Sequence, residues 1–321
     1  MSTRNHRSKE STANTTRRFI FGPALALAFA LTMMTCSLPL PAAENDGPQG
    51  QRIFKVASVQ MRSSRDLEAN TRTTISLLKQ CAGKGAEAAV FPECSLTGYY
   101  PDLVCASSGE QIEKAIQAVA GACEEYKIAA IFGSPTWEQK KLLNSAIIIN
   151  SKGIVIERYH KVQLAENWPV GGDHLSVFYL NGVPCSVIVC HDERYPELVR
   201  LPVLAGARVV FYLSHESGVK LESKIEPYRA QIQARAVENS VFVVHANAPA
   251  NADTTGSHGQ SRLIAPDGNI LKEASVFQEE ILAGDLDLSQ ATARNALGSL
   301  KRGPLAQWYE EGVRQVRIIR E

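Results

Sequence analysis

From Ile53 onward the chain alternates between two textures. Short apolar runs of β-type residues recur at 53–61, 86–92, 128–134, 145–151, 154–160, 183–190, 207–214, 240–247, 261–268 and 279–287. Between several of them the apolar spacing turns helical, which predicts helices over 65–82, 109–126, 196–205 and 225–238. The turn residues Asn150, Ser151, Lys152 and Gly153 separate two runs so briefly that a hairpin is predicted there. Strand–helix–strand crossovers mixed with hairpins predict an α/β fold, with a mixed sheet or two sheets and helices on the outer faces. No break inside 53–287 has the composition of a linker, so this stretch reads as one domain, followed by an extension over 288–321.

The opening of the chain follows another pattern. It is polar and basic up to Arg17-Arg18, and then Phe19 to Ala43 carries no charge. A basic start, an apolar stretch and a small-residue end predict an export signal over residues 1–43, with 44–52 as a linker. "TTRRFIFG" resembles a twin-arginine signal, which exports proteins already folded. The alternative is an uncleaved N-terminal membrane anchor, since the run is long enough to span a bilayer. Pro23, Pro39, Pro41 and the Ala42-Ala43 end favour cleavage. The mature protein is then expected in the periplasm or medium, with no stable membrane partner.

Composition works by exclusion. A net charge of +1 gives no electrostatic reason to expect nucleic acid as a partner. No His/Cys cluster has zinc spacing and no glycine-rich phosphate loop appears, so neither metal nor cofactor is expected. No internal repeat stands out.

Candidate chemistry enters at three strand ends. "AVFPECSLTGYYP" delivers Glu93, "IVIERYHKVQL" delivers Lys161 and "SVIVCHDERYPE" delivers Cys190, each just past an apolar run. In α/β sheets the crevice beyond the carboxyl ends of strands is where ligands and chemistry collect. Taken singly, the three read as a solvated glutamate, a surface lysine and an inert buried thiol. Taken in order, "FPECSLTGY", "YHKVQL" and "CHDERYPEL" resemble the three signatures of the carbon–nitrogen hydrolase family, also called the nitrilase superfamily. "KVASVQM", "NSAIIINSKGIVIERYHK", "QARAVENSVFVVHAN" and "HGQSRLIAPDGNIL" extend the resemblance from about Ile53 to Asp287.

That resemblance implies a four-layer α-β-β-α sandwich and a homodimer or higher homo-oligomer, with the tail after Asp287 reaching toward a partner. It implies Cys190 as nucleophile, Glu93 as general base and acid, and Lys161 as the third member of a triad. The residue types suit such chemistry. A thiol attacks a carbonyl carbon only as a thiolate, and a nearby carboxylate accepts its proton. The negative oxygen then formed needs donors, which Lys161 and the backbone N–H of His191 would supply. A second glutamate is implied at Glu166, ahead of Trp168 and Gly172-Asp173, to position Lys161 or the substrate amide. Tyr99, Tyr100, Trp168, His215 and Glu216 are candidates for the substrate wall, and Asp192 and Arg194 for bracing the nucleophile segment. The ring of His191 is not expected to pair with Cys190, because adjacent residues on an extended segment point to opposite sides.

The reaction expected is hydrolysis of a non-peptide carbon–nitrogen bond in a small amide or N-carbamoyl compound, through a cysteine thioester. The polar pair His215-Glu216 favours a polar amide over an apolar nitrile. Nitrile hydrolysis, acyl transfer from the same thioester, and a non-catalytic binding protein on the same fold are the alternatives. Six cysteines follow the signal. Cys190 must stay free, Cys94 and Cys185 read as core, and a Cys105–Cys123 disulfide is left open.

Overall fold

A computed structural model of the protein describes residues 52–219, 225–252, 256–301 and 303–321. The export segment and nearly all of the linker lie outside the described residues. In chain order the strands are β1 (Ile53–Gln60), β2 (Ala88–Val90), β3 (Ala129–Glu138), β4 (Lys141–Ile149), β5 (Val155–His160), β6 (Leu175–Leu180), β7 (Val183–Val189), β8 (Val209–Ser214), β9 (Phe242–Asn247), β10 (Arg262–Ile264), β11 (Ile270–Glu273), β12 (Glu280–Asp287) and β13 (Val316–Ile319). The helices are α1 (Leu67–Gly83), α2 (Pro101–Ala106), α3 (Gly109–Tyr126), α4 (Glu197–Leu204), α5 (Ile225–Val237), α6 (Arg294–Lys301) and α7 (Ala306–Val313).

The strands form two sheets, ordered β12-β1-β2-β3-β4-β5 and β11-β10-β9-β8-β7-β6-β13. Side chains alternate across a strand, and here both faces of both sheets are apolar. Val56, Val90, Ile131 and Ile148 of the first sheet meet Val187, Phe211 and Val244 of the second in a core between the sheets. On the outer face of the first sheet, Ala89, Phe132 and Ile147 meet Leu78 of α1 and Ile116 and Val119 of α3. On the outer face of the second, Ile188, Val210 and Val243 meet Val199 and Val203 of α4 and Ile232 and Ala236 of α5. The layers therefore run helix, sheet, sheet, helix, which is the expected sandwich. Truncating Ile131, Ile148, Leu78 or Ile188 to alanine would cost about 2–5 kcal/mol.

Several elements differ from the sequence pattern. The β3–β4 hairpin runs well past the apolar stretches, closing at Gln139 and Lys140, both with positive φ (47° and 67°). Such two-residue turns usually carry Asn-Gly or Asp-Gly, so Gln-Lys hides the turn. Strand β6, absent from the apolar pattern, pairs with β7 across Asn181-Gly182, again with both φ positive. The tail after Asp287 folds onto its own chain. Ala293 and Ala296 are buried against the second sheet, and β13 pairs in parallel with β6.

Candidate active site

The sandwich brings the three strand ends together. Glu93 follows β2, Lys161 follows β5, and Cys190 follows β7 as the first residue of a 3₁₀ turn, Cys190–Arg194. The Lys161 ammonium is fully buried and sits between two carboxylates. It donates to Glu93 Oε1 at 2.9 Å and to Glu166 Oε2 and Oε1 at 2.8 and 3.1 Å. The other Glu93 oxygen, Oε2, accepts the backbone N–H of His215 at 3.0 Å. Thus Glu93, Lys161 and Glu166 form one connected cluster, and the end of β8 contributes its backbone.

One residue that the sequence pattern did not single out links the cluster. The Asn144 side-chain amide on β4 donates to Glu93 Oε1 at 2.7 Å and to Glu166 Oε1 at 2.6 Å, and the Asn144 backbone carbonyl accepts the backbone N–H of Lys161 at 2.8 Å. Asparagine is disfavoured inside strands. Its place in the apolar run "LLNSAIII" is the signal that could have found it.

Two carboxylates around one buried ammonium cannot be equivalent. Burial pushes the Glu93 carboxyl above the ordinary range; Lys161 opposes this and the Glu166 charge adds to it. Burial acts upward on Glu166 too, but Lys161 prevails and holds it below the ordinary value. For Lys161 burial pulls downward, yet Glu93, Cys190 and Glu166 overcome it and keep the ammonium charged. Environments that push paired groups apart assign acid–base roles. Here they push Glu93 up and hold Glu166 down.

Cys190 is half-buried and has φ +45°. That left-handed conformation costs a non-glycine residue about 1–3 kcal/mol and must be held. Asp192 holds it: its buried carboxylate accepts Val189 N–H (3.1 Å), Val162 N–H (3.2 Å), Gln163 N–H (2.8 Å) and the Tyr159 hydroxyl (2.8 Å). One side chain thereby ties the Cys190 turn to the segment that follows Lys161. Arg194 does not share this work; its guanidinium lies over the Tyr228 ring, 4.7 Å from the centroid. Burial raises the Cys190 thiol well above its ordinary pKa, Glu93 adds to the rise and Lys161 opposes it. The thiol therefore rests protonated and needs a base to react.

The backbone of Glu93 is admitted by a glycine. A Cβ on Gly133 of β3 would lie 2.2 Å from Cys94 N and 2.5 Å from Glu93 Cα.

The remaining candidates separate. Tyr99 stacks on His215, with ring centroids 4.9 Å apart at 10°, and both rings are half-buried. Burial brings the His215 imidazole down to about 4, so this ring is neutral near pH 7. Trp168 is half-buried on the segment that carries Glu166. The His191 ring leans edge-on against Tyr195. Tyr100 packs under Arg65, and its hydroxyl reaches Ser63 O at 3.4 Å. Glu216 is placed differently from the expected substrate contact. Its buried carboxylate pairs with His258 at 2.5 Å and accepts the Tyr212 hydroxyl at 3.0 Å. The six described cysteines are all free; Cys123 is buried while Cys105 is exposed. Two cavities of about 170 and 380 Å³ flank β5, and neither is lined by Glu93, Lys161, Glu166 or Cys190.

Comparison with known proteins adds to this geometry. The profile of the family described as "Carbon-nitrogen hydrolase" matches residues 55–296. An (R)-stereoselective amidase of Pseudomonas sp is 28% identical over 256 residues, 75% of this chain and 89% of its own. An omega-amidase of Mus musculus is 27% identical over 269 residues, 78% of this chain and 94% of its own. Among solved structures, a variant of the amidase from Nesterenkonia sp. AN1 is similar with a TM-score of 0.68 at 25% identity, covering 76% of this chain and 94% of that one. That structure shows covalent addition of the acetamide moiety of fluoroacetamide at the active site cysteine.

Proposed function

The chain belongs to the carbon–nitrogen hydrolase family and is a hydrolase of carbon–nitrogen bonds other than peptide bonds, and from that footing we propose that it cleaves a small amide or N-carbamoyl compound through a thioester on Cys190. The observation that carries this reading is the buried ammonium of Lys161 between a carboxyl raised in pKa, Glu93, and one lowered, Glu166.

Substrate enters with its carbonyl carbon against Cys190 Sγ. Glu93 takes the thiol proton on Oε2, which holds one donor where Oε1 holds two. The sulfur bonds to carbon, and the carbonyl oxygen gains the negative charge. Lys161 and the His191 N–H receive that oxyanion. The tetrahedral species collapses, and the C–N bond breaks as Glu93 returns the proton to the departing nitrogen. Ammonia or an amine leaves. Water, losing a proton to Glu93, then attacks the thioester, and the acid product departs as the proton returns to sulfur. Glu166 keeps Lys161 charged and aimed throughout. The flat, neutral pair Tyr99–His215 suits a small uncharged amide or ureido group. The amidase names of the two relatives support the amide class, and the cysteine adduct of the Nesterenkonia enzyme supports the thiol.

An ammonia-release panel tests this reading. It should cover small primary amides, N-carbamoyl amino acids, ureido acids and nitriles, with Cys190→Ala as control. Ammonia is expected from amides or carbamoyl compounds and at background with nitriles and with the control. Release from nitriles alone, or equal release by Cys190→Ala, would overturn it.

The glycine behind Glu93 supplies a second test. In Gly133→Ala the added methyl must displace the Glu93–Cys94 backbone, because both atoms it meets are main chain. A displacement of about 1 Å in a catalytic group costs about 10²-fold in rate, and overpacking costs about 1–3 kcal/mol. Activity should therefore fall by far more than the loss of melting temperature explains. Normal kcat in Gly133→Ala would contradict the placement of Glu93.

A further inference from the structure

The hydrogen bonds around the two carboxyls of the site are unevenly spread. Each carboxylate oxygen offers about two lone-pair sites. Glu166 Oε1 accepts from Asn144 and Lys161, and Glu166 Oε2 accepts from Lys161 and from the Ala165 N–H at 3.1 Å. Glu93 Oε1 likewise accepts from Asn144 and Lys161. Glu93 Oε2 accepts only the His215 N–H among the described residues. A proton entering this cluster therefore meets one oxygen with a site still open. Asn144 makes the difference, because its amide nitrogen spends one hydrogen on each carboxyl. The amide is held in this orientation from both ends. Its nitrogen lies 2.7 and 2.6 Å from oxygens that only accept, where a carbonyl oxygen would be repelled. At the other end the Cys94 thiol donates to Asn144 Oδ1 at 3.7 Å. The whole side chain is buried on β4.

We infer that Asn144 is a positioning residue that confines the exchanged proton to Glu93 Oε2, by closing one site on Glu93 and one on Glu166. This rests on Glu93 being the base of the proposed reaction. Without the amide, Glu93 Oε1 and Glu166 Oε1 would each regain an open site, and the proton could rest on either instead of on Oε2. The ionisable groups facing Glu93 are Lys161 after β5, Glu166 on the loop beyond it, Cys190 after β7, and Tyr99 and Cys94 on its own segment. Lys161 is the cation of this set. An amide steadies both carboxylates without a charge of its own, so it does not weaken their hold on the Lys161 proton.

The pH profile of kcat/KM, measured on the full-length protein with an amide it turns over, separates this role from a purely structural one. Asn144→Leu keeps the branched shape and offers no hydrogen. Donors to a carboxylate favour its ionised form, and the Asn144 amide is one of the groups that lower the Glu93 pKa. Its loss should therefore move the acid limb up, by about one pH unit for one hydrogen bond to the charged form. Below the limb, kcat/KM should then fall about tenfold further than it does on the plateau. Glu166→Gln is expected to move the same limb down, so the two changes differ in direction, which a general loosening of the site would not produce. Asn144→Ala removes the same two hydrogens with less bulk, and it decides the matter if the leucine variant does not fold. A limb that stays in place or moves down in a folded Asn144 variant would overturn the inference. A Glu93→Gln enzyme that keeps the wild-type limb would instead overturn the assignment of Glu93 as base.

Discussion

Cys190→Ala should leave the protein folded and lower turnover to background, a loss of at least about 10⁴-fold by comparison with the removal of nucleophiles elsewhere. The sulfur forms the covalent bond in the proposed path, and no other group in the cluster can replace it. Lys161 is protonated and paired with two carboxylates, and Glu93 has to remain a base. Stability should change little. Asp192, not the thiol, holds the nucleophile turn, and alanine bears the left-handed conformation no worse than cysteine does. Cys190→Ser should be nearly as inactive, because a hydroxyl is far less acidic than a thiol and Glu93 is tuned to the thiol. Ammonia release measured beside a thermal melt checks both variants. A folded Cys190→Ala with more than about a tenth of normal turnover would exclude the mechanism, since no step of it survives without the sulfur.

Glu93→Gln should be the next most damaging change. Loss of a general base costs about 10²–10⁴-fold, and Glu93 handles the proton in both acylation and deacylation, so the upper part of that range is expected. Glu166→Gln should retain more activity, since an amide still accepts a hydrogen bond from Lys161. The two variants differ most clearly in their pH dependence. Glu93 must be ionised to accept the thiol proton, so the acid limb of kcat/KM follows its pKa, which burial raises and Lys161 lowers, with the Glu166 charge adding to the rise. In Glu166→Gln that last contribution disappears and Lys161 is left to Glu93 alone. Both changes lower the Glu93 pKa, so the acid limb should move to lower pH while kcat falls. A limb that stays fixed, or moves up, would contradict the charge arrangement. So would Glu166→Gln proving more damaging than Glu93→Gln in both acylation and turnover.

The apolar runs were legible as strands, and Glu93, Lys161 and Cys190 follow β2, β5 and β7 as those runs imply. What was hidden depends on partners distant in sequence. Asn144 reads as a blemish in a strand until Glu93 and Glu166 are both in place beside it. Glu216 reads as a pocket residue because it follows a buried strand, but His258, far along the chain, takes its carboxylate. Asp192 and Arg194 look alike as braces in "CHDER", yet only Asp192 is buried against the turn. Strand β6 was obscured because "SVFYL" is short and ends in polar turn residues, although Asn181-Gly182 is a strong hairpin signal. The tail after Asp287 reads as an appendage because it follows the last strand of the apolar pattern, yet Ala293, Ala296 and Val316 pack against its own sheet.

The central claim is a thioester on Cys190, and intact-protein mass spectrometry observes that bond. Glu166→Gln, in which the aim of Lys161 and of the attacking water is loosened, should acylate and then stall. Mixed rapidly with an amide that the wild type turns over and quenched in acid, it should gain the mass of the amide minus ammonia. Peptide mapping should place that gain on Cys190, and Cys190→Ala should show none. Steady turnover of the amide with no adduct in any variant, or an acyl group mapped to another residue, would contradict the account.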